Sequence, residues 1–356
     1  MTKPRLAICI PTHHGRADFL RIALESVLDQ LGDVPPGRVS ICVSDNASED
    51  GTAALIRALS EQHMVPISYH RHAVNLGFPP NMLQVMREAD GEYGWLLSSD
   101  DRVAPGGLRR VYEALDSEPG LAGISLRFQA YDTALSERHD PLPAVLHPAD
   151  REHRHLYLTL EDAMRQCGSV AGYVSGQVYH RGLWREAVEA LGVARVEAAG
   201  YFPYMLVLGE MLRRHPRWLW LPEPNVENRL GNDSVTAAMN RNILRYQCNV
   251  LCDITAVWAA ILGPRTPIFR ALIADNFASA WDWRSLCSYK VASRCPVSDE
   301  VRAAIEWTRR LYFLPRFWLT GFPVLILPRQ VLQFIALPVA RRLRLAAPKA
   351  SGGGSA

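Results

Sequence analysis

No aspartate or glutamate follows Glu306, although Arg309, Arg310, Arg316, Arg329, Arg341, Arg342, Arg344 and Lys349 do. The seven cysteines form an odd set without a C-x-x-C pair, which argues against a zinc ribbon or a disulfide framework and fits reduced thiols in a cytoplasmic setting. Cys248 and Cys252, four apart, suit packing on one helix face better than metal ligation. The N-terminus, MTKPRLAICIP, carries no signal-peptide pattern. Neither the fingerprint G-x-G-x-x-G after the first strand nor the phosphate loop G-x-x-x-x-G-K-[ST] occurs, which removes the common dinucleotide and P-loop classes. Charge-free runs stay short: FWLTGFPVLILP and QVLQFIALPVA each fall below the roughly 20 residues of a membrane-spanning helix. A net charge of +3 is too small to argue for a nucleic-acid partner.

Hydrophobic residues make up 48% of the 356-residue chain and charged residues 21%, enough to build one large core or two. Up to residue 117 strand and helix signals alternate. RLAICI is an apolar strand stopped by Pro11, and Ala17 to Leu31 carries Leu20, Ala23, Leu24, Val27, Leu28 and Leu31 at helical spacing. VSICVSD is the second strand. Asn46, Ser48 and Asp50 then offer caps for the helix GTAALIRALSEQ. ISYHRH, PPNMLQVMREAD and YGWLL continue as strand, helix and strand, and Pro105 opens a further helix. This alternation predicts a parallel sheet covered by helices, whose ligands collect at the carboxyl ends of the strands.

Those ends carry the chemistry. The first strand leads into PTHHGR, the second ends at Asp45, and the fourth runs through Ser98 and Ser99 into Asp100 and Asp101. Asp45 can accept from a ribose or a base N–H, or simply cap the following turn. Two adjacent carboxylates repel each other. They are either a solvated turn before Pro105, or hard oxygen ligands for Mg²⁺ or Mn²⁺ carrying a diphosphate.

The segments AICIPTHHGRADFLRIALESVL, VSDNASEDGT, NLGFPPN and GEYGWLLSSDD, in this order, resemble the successive signatures of the family 2 glycosyltransferases. Within that family the chain is most similar to the branch of bacterial O-antigen and cell-surface polysaccharide sugar transferases, such as abequosyl- and rhamnosyltransferases. The resemblance is strong over residues 5–117 and fades to general shape by about residue 235. It implies a GT-A fold (a Rossmann-like α/β sheet, mostly parallel, with helices on both faces), a nucleotide-sugar donor, Mg²⁺ or Mn²⁺, and inversion by direct displacement. Position by position it implies that Pro11, Thr12, His13 and Arg16 belong to the loop holding the nucleotide base, and that Asp45 binds uracil or ribose. Asn75, Gly77 and Asn81 would line the nucleotide-sugar site, Asp100 would face the ribose or donor sugar, and Asp101 would hold the metal. Two departures stand out. His13, His14 and Gly15 replace the usual Tyr-Asn before Arg16, and Ser98 replaces the first acid of Asp-x-Asp-Asp. The general base is expected well beyond the metal site, at Glu197 in RVEAAGYFPY or, as second choice, Glu210 in LVLGEML.

Further along, residues 132–155 hold His139, His147, His153 and His155 without a sustained period and are expected as a mobile surface loop. AGYVSGQVYH is expected as a strand pair or bend. In NRLGND, Arg229 is either a bidentate phosphate ligand or a plain loop residue. The expected organisation is a GT-A domain over 1–235 (donor half 1–117, acceptor half 118–235) and a helical region over 236–306. A membrane-associating interfacial segment over 307–350 and a linker at 351–356 would follow. The acid-free, aromatic and basic tail points to an anionic membrane surface, against the alternative of a helix packed on the core. Together these readings predict a metal-dependent inverting glycosyltransferase on the cytoplasmic face of the plasma membrane. Its acceptor would be a polyprenyl-diphosphate-linked or cell-surface glycan. A nucleotidyltransferase is the competing enzyme class, although its G-x-G-x-R loop is absent. A nucleotide-sugar-binding module without turnover is the non-enzymatic alternative.

Overall fold

Leu6–His13 forms the first strand, β1, and every residue from Leu6 to Thr12 is buried, as the apolar run requires. The computed structural model describes residues 3–139, 152–168, 170–231, 233–279, 281–293 and 295–334, with only the backbone described at 139, over 233–241 and at 279. The chain divides into two units: Met1–Thr236 with Cys252–Ser279, and Ala237–Leu251 with Ala280–Ala356. The expected helical region over 236–306 is therefore shared between the two.

In the first unit, α1 (Ala17–Leu28) buries Leu20, Ala23, Leu24, Val27 and Leu28, the stripe its spacing predicts. It ends three residues short of the expected Leu31, because Leu31–Asp33 tightens into a separate 3₁₀ turn. Then follow β2 (Val39–Asn46), α2 (Thr52–His63), β3 (Ile67–Arg71), α3 (Phe78–Glu88), β4 (Tyr93–Leu96), the two-residue β5 (Arg102–Val103) and α4 (Gly107–Ser117). The second half supplies β6 (Gly123–Tyr131), β7 (Arg138–His139), β8 (His155–Tyr157), α5 (Leu160–Cys167), β9 (Gln177–His180), α6 (Arg181–Leu191), α7 (Val193–Glu197), α8 (Pro203–Arg214) and β10 (Trp218–Arg229).

The strands join one sheet in the order β3-β2-β1-β4-β9-β6-β10-β5, with β7 on β6 and β8 on β10. Pairing is parallel from β3 through β4, as expected. Beyond β4 the expectation of a mostly parallel sheet fails. β9 runs antiparallel to both β4 and β6, β6 and β10 pair in parallel, and β5 runs antiparallel to β10. The reversal comes from AGYVSGQVYH, which folds as two short 3₁₀ turns that feed β9 into the sheet backwards instead of forming a strand pair. The described ends of the histidine-bearing segment are likewise not loop. His139 pairs on β6 and His155 on β10, because both segments extend existing strand edges. His147 lies outside the described residues.

Gly123 opens β6 where the sheet is most crowded. A Cβ there would lie 2.3 Å from both the Trp218 ring and the Val178 carbonyl oxygen, so only glycine fits. Below it Tyr179, Trp184 and Trp218 form a chain of ring contacts, and the Trp218 indole N–H donates to Ser125 Oγ at 2.9 Å.

Helical structure resumes with α9 (Asp233–Leu262), whose backbone is extended at Asn242 (φ −163°, ψ 83°). The second segment starts there, and the Asn242 side chain accepts from Arg245 N at 3.0 Å, the bond of an N-cap. α10 (Pro267–Ser279) completes the first unit.

The second unit contains α11 (Trp283–Ala292), α12 (Val297–Leu311) and α13 (Phe322–Ile326). A wide π-type turn over Phe317–Gly321 leads into α13. Lys290 is buried and donates to the carbonyls of Leu325 (2.6 Å) and Leu327 (2.8 Å) while pairing with Glu300 at 3.1 Å. A cation thus satisfies carbonyls that the end of α13 leaves open. Tyr312, Trp318, Leu319, Ile326 and Phe334 are exposed. Among the described residues no helix is long and apolar enough to cross a membrane. Residues 335–356 of the expected tail and linker lie outside the described residues.

Candidate active site at the strand ends

The loops after β1, β2, β3 and β4 meet through side chains. Asn81, buried in the first turn of α3, donates to the Thr12 carbonyl at 2.9 Å and accepts from Ser44 Oγ at 2.7 Å, tying the ends of β1 and β2. Asn46 donates to Asn75 Oδ1 (2.7 Å) and to the Gly77 carbonyl (3.1 Å), and accepts from Leu76 N at 2.7 Å. Gly77 takes φ 85°, ψ 177°, a conformation open to glycine alone. Asp50 ties the β1–α1 loop down by accepting from Gly15 N and Arg16 N (3.2 Å). Burial pushes the Asp50 carboxyl up, but the bonds from Thr52 and Gly15 outweigh it and hold it below its ordinary value. The Thr12 hydroxyl is buried and lacks a hydrogen-bond partner among the described residues.

Asp45 sits at the end of β2 and is fully buried. One oxygen accepts from Ser48 N (3.1 Å) and Ser48 Oγ, and the other from the Tyr69 hydroxyl. Burial, and then Asp45 itself, push the Tyr69 hydroxyl well up. Asp45 therefore shapes the loop after β2, which is the turn-capping arrangement. Its second oxygen faces a single protein donor among the bonds described here.

The two aspartates after β4 occupy different surroundings. Asp100 accepts from Ser98 Oγ on one oxygen and pairs with Arg16 Nη1 at 3.1 Å on the other. The register of β5 on β10, Arg102 opposite Glu227, carries the preceding residue, Asp101, alongside Asn228. Asp101 Oδ1 accepts from Asn228 Nδ2 (3.1 Å) and Arg229 N (3.0 Å). Its Oδ2 accepts from the Tyr173 hydroxyl (2.7 Å) and Ser175 Oγ (2.6 Å). Ser175 in turn accepts from Ser98 N at 2.9 Å. Burial and the charge of Asp100 push the Asp101 carboxyl up to about 7, against the pull of these hydrogen bonds.

Two guanidinium groups flank the pair, both nearly buried. Arg16 Nε donates to His13 Nε2 at 3.3 Å, and Arg229 Nε donates to the Asp100 carbonyl at 2.8 Å. Both lie over the ring of Phe19, at 5.4 and 4.4 Å from its centroid. Arg229 Nη1 is held by the Thr133 carbonyl, whereas Nη2 is buried without a hydrogen-bond partner among the described residues.

A divalent ion on Asp101 does not fit this donor set. A carboxylate offers about four acceptor sites, and protein donors fill that number on Asp101. Asp100 is engaged by a cation, and among the described residues no three His, Cys, Asp or Glu gather around a common point. Asp101 instead locks the end of β4 to β10 and to the turn before β9.

The two expected bases lie on α7 and α8. Glu210, on α8, is buried and ion-paired to Arg213 and Arg214. Glu197 ends α7 exposed, in a groove of about 570 Å³ between α3, α6 and α7 that His180, Arg181, Arg185 and Glu189 also line. None of Thr12, Asp45, Asp100 or Asp101 lines that groove. Pro11, Thr12, His13, Arg16, Asp45, Asn75, Gly77, Asn81, Asp100 and Arg229 do gather at the strand ends. Tyr173, Ser175 and Asn228 complete the cluster without a sequence signal of their own beyond lying in the two polar, glycine-bearing stretches AGYVSGQVYH and NRLGND.

Known proteins share this fold. The sequence profile described as "Glycosyl transferase family 2" matches residues 7–184, half of the chain. Abequosyltransferase RfbV of Salmonella typhimurium is 30% identical over 186 residues, covering 50% of this chain and 54% of RfbV. The chain thus matches about half the length of this curated relative. S. aureus TarS 1–349 in complex with UDP-GlcNAc superposes with TM-score 0.58 at 12% identity, over 94% of this chain and 92% of that one. The mannosyltransferase PcManGT from Pyrobaculum calidifontis, in complex with GDP-Man and Mn²⁺, superposes with TM-score 0.55 at 16% identity, over 94% and 88%. These two likenesses speak for the GT-A fold. The profile match runs from β1 through the Asp100–Asp101 pair to the start of α6, and by it this chain belongs to glycosyl transferase family 2.

Proposed function

We propose that the protein transfers a sugar from a nucleotide-sugar donor to a hydroxyl of a cell-surface or lipid-linked glycan. The observation that carries this reading is the convergence of Asp45, Asn81, Asp100 and Arg16 at the carboxyl ends of β1, β2 and β4, inside the family-matched span. In the reaction the acceptor oxygen bonds to the anomeric carbon as the carbon–oxygen bond to the diphosphate breaks, with inversion, and the hydroxyl proton passes to a carboxylate base. The site's task is to offset charge growing on the leaving diphosphate. The likeness to an abequosyltransferase supports a deoxyhexosyl donor and an O-antigen-type acceptor. The Mg²⁺ or Mn²⁺ expected from the family is not carried into this reading, because the Asp101 acceptor sites are taken by protein donors.

The acid-free end of the described chain supports placement on an anionic membrane surface, on its cytoplasmic face. Trp318, Leu319 and Phe334 are exposed, as are Arg309 and Arg316, the composition of an interfacial segment.

Incubation of the full chain with UDP-, dTDP-, GDP- and CDP-sugars and membrane-extracted glycolipid tests the transfer. Release of one nucleoside diphosphate with a mass gain on the acceptor is expected, and release from none of them overturns the reading. Vesicles with and without phosphatidylglycerol test the second statement. Co-sedimentation is expected with the anionic vesicles only and should be lost in Leu319→Glu/Phe334→Glu.

A further inference from the structure

We propose that Arg16 and Arg229 form a paired-guanidinium seat for the donor diphosphate and supply there the positive charge that a divalent ion would otherwise bring. The inference rests on the nucleotide-sugar reading above.

Both arginines converge on one residue, Arg16 through the Asp100 carboxylate and Arg229 through the Asp100 carbonyl, and both stack on Phe19. Two guanidinium groups brought this close repel each other, and each is nearly buried. Burial and the charges of Arg102 and Arg16 pull the Arg229 guanidinium below its ordinary value, while Asp100 and Asp101 oppose them. Asp101 is bound by four protein donors, so the arginine pair faces chiefly the carboxylate of Asp100, and an anion relieves the repulsion that a further cation would add.

Arg229 also carries the unmet donor. Its Nη2 is buried without a partner among the described residues, a cost a native structure sustains for a reason. A phosphate oxygen satisfies it, and the planar fork suits bidentate phosphate contact. Arg16 closes the cluster over Asp100 and is the group that moves, exchanging a carboxylate for a phosphate oxygen while the Asp50 bond to its own N–H keeps the loop in place. Asp100 and Asp101 then act as positioning residues: the first holds Arg16 until the donor arrives, the second fixes the backbone of Arg229.

Calorimetric titration of the unaltered full chain with UDP, dTDP, GDP and CDP, in EDTA and again in Mg²⁺ or Mn²⁺, tests the proposal without relying on turnover. One diphosphate is expected to bind in EDTA with an affinity within about threefold of that in metal, a difference smaller than a single charged hydrogen bond. Arg229→Met and Arg16→Gln should each weaken that diphosphate by about tenfold or more, leaving the corresponding nucleoside unaffected. Diphosphate binding that appears only with Mg²⁺ or Mn²⁺ overturns the arginine seat and leaves the transferase reading intact. Binding of none of the four under either condition overturns both.

Discussion

In the parallel half of the sheet, three side chains each bridge one pair of loops: Asn81 joins the ends of β1 and β2, Asn46 holds the turn before α3, and Asp50 pins the loop after β1. In the mixed half, one carboxylate does most of the joining. Asp101 collects donors from the turn before β9 and from the end of β10, and no other side chain described here links those segments to β4 through so many bonds. The difference follows from pairing. Parallel neighbours end side by side, so adjacent loops reach each other directly. β9 is antiparallel to β4, so the segment before it, not after it, reaches the strand ends. Connectivity in the mixed half is therefore concentrated, and loss of one residue should be felt more there.

Asp101→Ala should give the largest effect. It unpairs two hydroxyls, an amide and a backbone N–H and leaves Arg229 less compensated, for about 3–5 kcal/mol by chemical denaturation. A loss no greater than that of Asn81→Ala would erase the contrast between the halves. Gly123→Ala, also in the mixed half, should cost about 1–3 kcal/mol, because the new methyl meets backbone as well as the Trp218 ring. An unchanged melting temperature would mean that β6 can shift away from β9. Asn81→Ala, in the parallel half, should cost about 1–2 kcal/mol, since Ser44 Oγ and the Thr12 carbonyl lose one partner each.

The smallest effect is on pH. The folded Asp101 carboxyl titrates at about 7 against an ordinary 3.8, so the folded chain holds a proton that the unfolded chain has released. That contribution to stability is complete below about pH 4 and is lost as pH rises through 7. When protonated, Oδ2 can donate to the Ser175 or Tyr173 hydroxyl while Oδ1 keeps both N–H donors. The melting temperature should fall from pH 5 to pH 8, and Asp101→Asn should flatten the slope. A parallel slope in the variant would assign the dependence to other groups.

Legibility in the sequence followed the same division. The strands β1 to β4 and the helices between them were readable because apolar runs and helical stripes of this length have one stable arrangement, a parallel layered sheet. Asp45 and Asp100 were readable because each stands at a strand end, and Asn81 through the family signature NLGFPPN. β9 was not, since its reversal depends on two tight turns that AGYVSGQVYH does not distinguish from a bend. Glu197 and Glu210 matched only a distance along the chain. Distance says nothing of the Arg213 and Arg214 partners of Glu210, or of the groove between α3, α6 and α7 that Glu197 lines.

The sequence by itself determined that Asp100 and Asp101 end an apolar strand in a family 2 context, because local periodicity and motif order need no long-range contact. Only the tertiary structure decided what the second of them does. Its partners come from residues more than 70 and more than 120 positions away, brought together by two antiparallel pairings, β9 on β4 and β5 on β10. No local pattern encodes a carboxylate's remaining acceptor sites, and these decide whether it holds a ligand or the fold.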